Sequence, residues 1–106
     1  MNWSRVTELK DEVGVDAFTE VLELFLEEID EMVVKLKAGP DPGGLAGDLH
    51  FMKGAALNLG FDELAMACTQ AEADLRTPGD TPVDVTNILQ VYAVSRAELT
   101  QGAAAA

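Results

Sequence analysis

His50 is the single histidine of the chain, and its neighbours form a pattern. Gly43, Gly47 and Gly54 stand seven before, three before and four after it, and Lys53 stands three after. On a helix these spacings fall on one side. Glycine inside a helix costs about 0.5–1 kcal/mol against alanine, so stability gives no reason for three on one face. Missing side chains would let another protein approach the imidazole closely. A neutral imidazole nitrogen is a good nucleophile and forms covalent intermediates. Lys53 has a flexible stem that can bring an ammonium beside whatever His50 binds, and there it would stabilise charge on a transferring group.

The local charge fits that chemistry. Residues 43–60 hold one acid, Asp48, and one base, Lys53, so the whole net charge of −12 lies elsewhere. A phosphoryl dianion is repelled by carboxylates, and the sequence predicts a His50 surface from which acid is kept away. A metal site needs several ligands within reach. His50 has no such company, so no metal is expected. Cys68 falls on an apolar stripe and reads as a small core residue.

The elements that must hold His50 are helical. Trp3, Val6, Leu9 and Val13 recur at helical spacing, and Gly14 stops that short first helix. Asp16 is the expected N-cap of the second, where Phe18, Leu22, Phe25, Ile29, Met32 and Leu36 alternate steps of four and three. Its other face carries Glu20, Glu23, Glu27, Glu28, Asp30 and Glu31, read as a solvated surface. Gly39 and Pro40 end it. Asp41 and Pro42 predict the start of the third helix, which carries Leu45, Leu49, Met52, Ala56 and Leu59 to a stop at Gly60. His50 points roughly 140° from that stripe. The fourth helix has Phe61, Leu64, Cys68, Ala71 and Leu75 as its inner residues, with Met32, Met52 and Met66 read as core filling. Residues 77–80 read as a loop, and Thr81, Pro82 and Asp84 as the start of a last helix carrying Val85, Ile88, Tyr92, Ser95 and Leu99. The expected fold is all-α: an antiparallel four-helix bundle with a short extra N-terminal helix. One domain spans 1–101, and 102–106 is expected to fray.

Composition bounds the function. A chain of 106 residues with 48% apolar residues is one domain with a real core. With 19 acidic and 7 basic residues it should avoid nucleic acid and anionic membranes. Residues 1–10 do not resemble a signal peptide, and no apolar run approaches the ~20 residues of a membrane span. The expectation is a cytoplasmic protein, monomeric because no second apolar face stands out.

The run His50-Phe51-Met52-Lys53-Gly54-Ala55-Ala56-Leu57-Asn58-Leu59-Gly60 resembles the signature of histidine-containing phosphotransfer (HPt) domains, H-x-x-K-G followed by small residues and a closing glycine. The resemblance continues through Phe61–Arg76, and the length and helix order are similar to the family's. It implies that His50 accepts a phosphoryl group from the aspartyl phosphate of a response-regulator receiver domain and passes it to a second receiver. It implies Lys53 at the phosphate and Gly54 as room for the receiver, with Gly47, Phe51, Leu57 and Arg76 as candidate binding residues. Phe51 has packing beneath the neighbouring helix as its alternative. Leu57 lies near His50 on the helical wheel. Such a protein is a carrier rather than an enzyme, with no intrinsic cofactor. Mg²⁺ comes with the receiver, and a hybrid histidine kinase is a further candidate partner.

Two positions depart from the pattern. Ala55 stands where many members have Ser, and Glu72 stands where many have Gln facing the site. The loss of the serine hydroxyl leaves a second reading open, an HPt-like bundle that binds receivers or kinases without transferring phosphate. Other classes fit less well. An acyl carrier needs an Asp-Ser-Leu setting that neither Ser4 nor Ser95 has, and a free-standing kinase needs a nucleotide-binding domain. A histidine-kinase dimerisation helix usually has an acid after the histidine, where this chain has Phe51. The histidine domain of chemotaxis kinases shares the H-x-x-K-G helix.

Overall fold

The computed structural model describes residues 1–39, 44–76 and 85–105. These form five helices, α1 (Trp3–Val13), α2 (Val15–Lys37), α3 (Leu45–Asn58), α4 (Asp62–Arg76) and α5 (Val85–Ala105), and no strand. Helices α2–α5 make a four-helix bundle, and α1 packs on the end where α3 turns into α4. Among the described residues, no helix is long and apolar enough to cross a membrane.

The stripes meet in one core. Ile29, Leu49, Met52, Leu59, Phe61, Leu64, Ile88 and Leu99 are fully buried, each worth about 1.5–3 kcal/mol against exposure. The stripe of α2 divides. Leu22, Ile29 and Leu36 are sealed, whereas Phe18, Phe25 and Met32 are half-buried. A partly buried clip joins α2 to α5. The Tyr92 hydroxyl donates to Asp30 Oδ1 at 2.5 Å and Arg96 Nη2 donates to Asp30 Oδ2 at 3.1 Å.

The α3–α4 corner fixes the site's geometry. Gly60 has φ of 74°, and a Cβ there would run into the backbone carbonyl of Asn2. That carbonyl lies so close because Asn2 N–H donates to Gly60 O at 2.7 Å. Phe61 N–H donates to Ala56 O at 2.8 Å, closing the end of α3. Arg5 Nη2 donates to Asn58 Oδ1 at 3.2 Å and adds a second tie between α1 and this corner.

Several expectations need correction. The N-cap of α2 is Gly14, with no side-chain hydrogen bond, and Asp16 sits inside the first turn, where its charge still suits the helix dipole. Met66 is 70% exposed rather than core filling. It lies about 200° round α4 from Leu64, on the opposite face. Leu75 is exposed near the end of α4. Helix α5 starts at Val85. It continues through Gly102 to Ala105, and Gly102 packs so closely on the Trp3 indole that a Cβ would collide with it. Gly43, the Asp41–Pro42 start of the third helix, the loop at 77–80 and the capping residues 81–84 lie outside the described residues. Within them, α3 begins at Leu45 with Gly44 as its N-cap.

Candidate functional site

Helix α3 presents two opposed faces. Leu45, Leu49, Met52, Ala55 and Ala56 are buried, which turns His50 outward with its side chain 80% exposed. Gly47 and Gly54 flank it on the exposed side, and a Cβ added at either would meet nothing within 4 Å. Packing within the chain therefore does not require these two glycines. Leu57 is 49% exposed, about 20° from His50 round the helix and two turns on. Phe51 is 45% exposed, so it does not pack beneath a neighbouring helix and stands on the open surface beside the imidazole. Lys53 is half-buried.

Helix α4 supplies a charged group to the site. Glu72 Oε1 lies 3.9 Å from His50 Nδ1, and the Glu72 side chain is only 15% exposed. That oxygen is buried and has no hydrogen-bond partner. The separation exceeds a hydrogen bond but is short enough for a small rotation of the exposed imidazole to form one. Acid is therefore not kept away from His50. The zero net charge of residues 43–60 describes α3 alone, and the α3–α4 hairpin brings a carboxylate from outside that segment. The second acid nearby, Asp48, faces Lys35 of α2 at 3.9 Å.

The floor of the site is inert. Cys68 is fully buried between α3 and α4. Burial, followed by the Glu72 carboxylate, pushes its thiol up to about 12, against a smaller lowering by the Lys53 ammonium. A thiol so poised is no competing nucleophile. Lys53 and Glu72 thus both act electrostatically on Cys68. Arg76 stands exposed at the end of α4, one turn past Glu72 on the same side. Ala55 is buried, so a hydroxyl missing there is missing from the inner side of α3. Among the described residues, no group of three or more His, Cys, Asp or Glu side chains could hold a metal ion.

Glu72 is the residue that sequence reasoning undervalued, reading it only as a departure from the family pattern. Its position was available from the turn. Gly60 reverses the chain, His50 lies ten residues before it and Glu72 twelve after, so an antiparallel hairpin sets them level.

A family model described as the Hpt domain matches residues 20–104, from within α2 to the end of α5. Helix α1 lies outside the match. No curated protein and no solved structure matches the chain.

Proposed function

The chain belongs to the Hpt-domain family, and from that premise we propose that His50 carries the phosphoryl group of a two-component phosphorelay. The observation that supports this most is an imidazole that is 80% exposed, beside glycines that nothing in the chain's own packing demands. In the proposed reaction the Nε2 lone pair attacks phosphorus in the aspartyl phosphate of a receiver domain. The N–P bond forms as the acyl P–O bond breaks, and the receiver's aspartate leaves as carboxylate. Transfer onward runs the same exchange toward a second receiver's aspartate.

The neighbouring residues suit separate parts of this step. Glu72 faces Nδ1 at 3.9 Å, and after a small rotation of the ring it accepts a hydrogen bond from Nδ1–H, which keeps the proton on Nδ1 and the lone pair on Nε2. Lys53, three residues on along α3, has a flexible stem that can bring its ammonium to a phosphoryl oxygen as charge develops. Gly47 and Gly54 leave room for the receiver, and Phe51 and Leu57 offer it apolar contact. Arg76 lies at the edge of that surface. Mg²⁺ would arrive with the receiver, and a hybrid histidine kinase is a further candidate partner. On this reading the protein is a carrier, not an enzyme. The alternative, binding without transfer, rested on Ala55. The burial of that residue weakens the case, because a serine hydroxyl there would not lie on the open face.

The test uses a receiver phosphorylated on its aspartate, with Mg²⁺ present. The expected product is acid-labile, base-stable phosphate on the wild-type chain and none on His50→Gln. Wild-type protein that stays unlabelled by a panel of phosphorylated receivers, while still binding them, would establish the binding-only role.

A further inference from the structure

A second concave surface lies away from His50, where α1 meets α2 and the end of α5. It is a cavity of about 490 Å³ with a mainly apolar wall formed by Trp3, Val6, Phe18, Leu22, Leu26 and Leu99. That volume is in the range of small-molecule sites, which are concave, apolar and provided with few polar groups. Its walls come from three helices. None of Gly47, His50, Lys53, Gly54, Leu57 and Glu72 lines it, so this cavity is separate from the His50 surface. The Trp3 wall is backed firmly, because its indole sits directly on Gly102.

The polar groups indicate what kind of molecule fits. Lys10 lines the cavity, with its ammonium 5.6 Å from the centre of the Phe18 ring. It makes no ion pair with a carboxylate among the described residues, although the chain has 19 acids and 7 bases. Apolar wall and unpaired cation therefore stand together. Glu23 also lines the cavity and repels any anionic group placed beside it, so a single acidic head is accommodated only at Lys10 and a dianion is disfavoured. A membrane surface is a poor match, since a chain of net charge −12 is repelled by anionic lipid.

We infer that the α1–α2–α5 cavity binds a free, small amphipathic monoanion, its apolar body against Trp3, Phe18 and Leu26 and its acidic head at Lys10. The inference does not depend on His50 or on phosphoryl transfer.

Trp3 is the sole tryptophan and reports on the cavity from within. The probe is sodium decanoate below its micelle concentration, with decanol as the neutral comparison. The expected result is a saturable blue shift of Trp3 emission, and quenching of Trp3 by a terminally brominated decanoate. Decanoate should bind roughly tenfold more tightly than decanol, the size of one charge-assisted contact at a half-open site. Lys10→Gln should remove that preference while leaving decanol unchanged. Thr19→Phe, at an exposed lining position, should weaken both ligands, with its helical circular dichroism checked against wild type. Trp3 emission that ignores decanoate up to millimolar concentration would overturn the inference. So would equal affinity for decanoate and decanol, or binding that Thr19→Phe leaves untouched.

Discussion

At the scale of single residues, the glycines beside His50 separate stability from function. A Cβ on Gly54 meets open space, so Gly54→Ala should only remove unfolded-state freedom and helix penalty. The expected gain is about 0.5–1 kcal/mol, read as a rise in melting temperature. If the open face exists to admit a receiver, the same variant should slow phosphoryl transfer, and Gly54→Leu should slow it further. A faster-transferring, more stable Gly54→Ala would mean that the glycine has no docking role. Glu72 allows a complementary comparison. Its buried oxygen faces His50 Nδ1, and an amide oxygen can accept the same hydrogen bond from Nδ1–H. Glu72→Gln should therefore keep transfer within a few-fold of wild type. Glu72→Leu removes the acceptor and should reduce the transfer rate by about tenfold or more, without loss of helical content. Equal rates for the two variants would show that Nδ1 needs no partner.

At the scale of the helices, the clip between α2 and α5 governs the response to pH. Burial pushes the Asp30 carboxyl up, but the hydrogen bonds from Arg96 and Tyr92 outweigh it and hold the group below its ordinary value. A lowered folded value means that the stability is present above the unfolded value of about 4 and is lost as pH falls through the folded one. Tyr92 behaves in the opposite sense. Burial first, then the Asp30 carboxylate, raises its hydroxyl, so its contribution holds below about pH 10 and is lost as pH rises beyond it. Tyr92→Phe should cost about 1–2 kcal/mol at neutral pH and flatten the alkaline limb of a stability–pH profile measured by urea unfolding. An unchanged alkaline limb would remove Tyr92 from the account. This clip was not readable in the sequence. Asp30 looked like one more acid on a solvated face, and only the packing of α5 makes it an acceptor for Tyr92. What the sequence did carry was periodic. The stripes of α2 and α3, the stop at Gly60 and the outward direction of His50 all follow from residue spacing, which the helix translates directly into faces. Met66 and Leu75 were misjudged because an apolar side chain on a helix is not bound to face inward. The family resemblance already sets Glu72 facing the site, whereas the charge argument leaves it out because it counts along the chain and not across the hairpin.

At the scale of the whole molecule, the excess of negative charge opposes the fold. The bundle measures 47 × 22 × 21 Å, so carboxylates on opposite faces lie within about 30 Å, the screening length near 0.01 M salt. At that ionic strength the acids of the −12 chain repel one another across the width of the bundle and over much of its length. At 1 M salt the screening length falls to about 3 Å, and only contact pairs still interact. Two effects then compete. Screening relieves the repulsion and stabilises the bundle. It also weakens the surface pairs that Arg5 makes with Glu8 and Glu12, at 3.2 and 3.0 Å, and that Arg96 makes with Asp30. Exposed pairs contribute about 0.2–1 kcal/mol each, and few basic residues exist to form them, so repulsion should dominate. Raising sodium chloride from 0.01 M to 0.5 M should lift the melting temperature by about 5–10 °C, equivalent to ~1–2 kcal/mol for a domain of this size. The rise should level off once the screening length drops below the spacing of neighbouring carboxylates. A flat or falling melting temperature over the same range would mean that the ion pairs of α1 and of the α2–α5 clip outweigh the net charge.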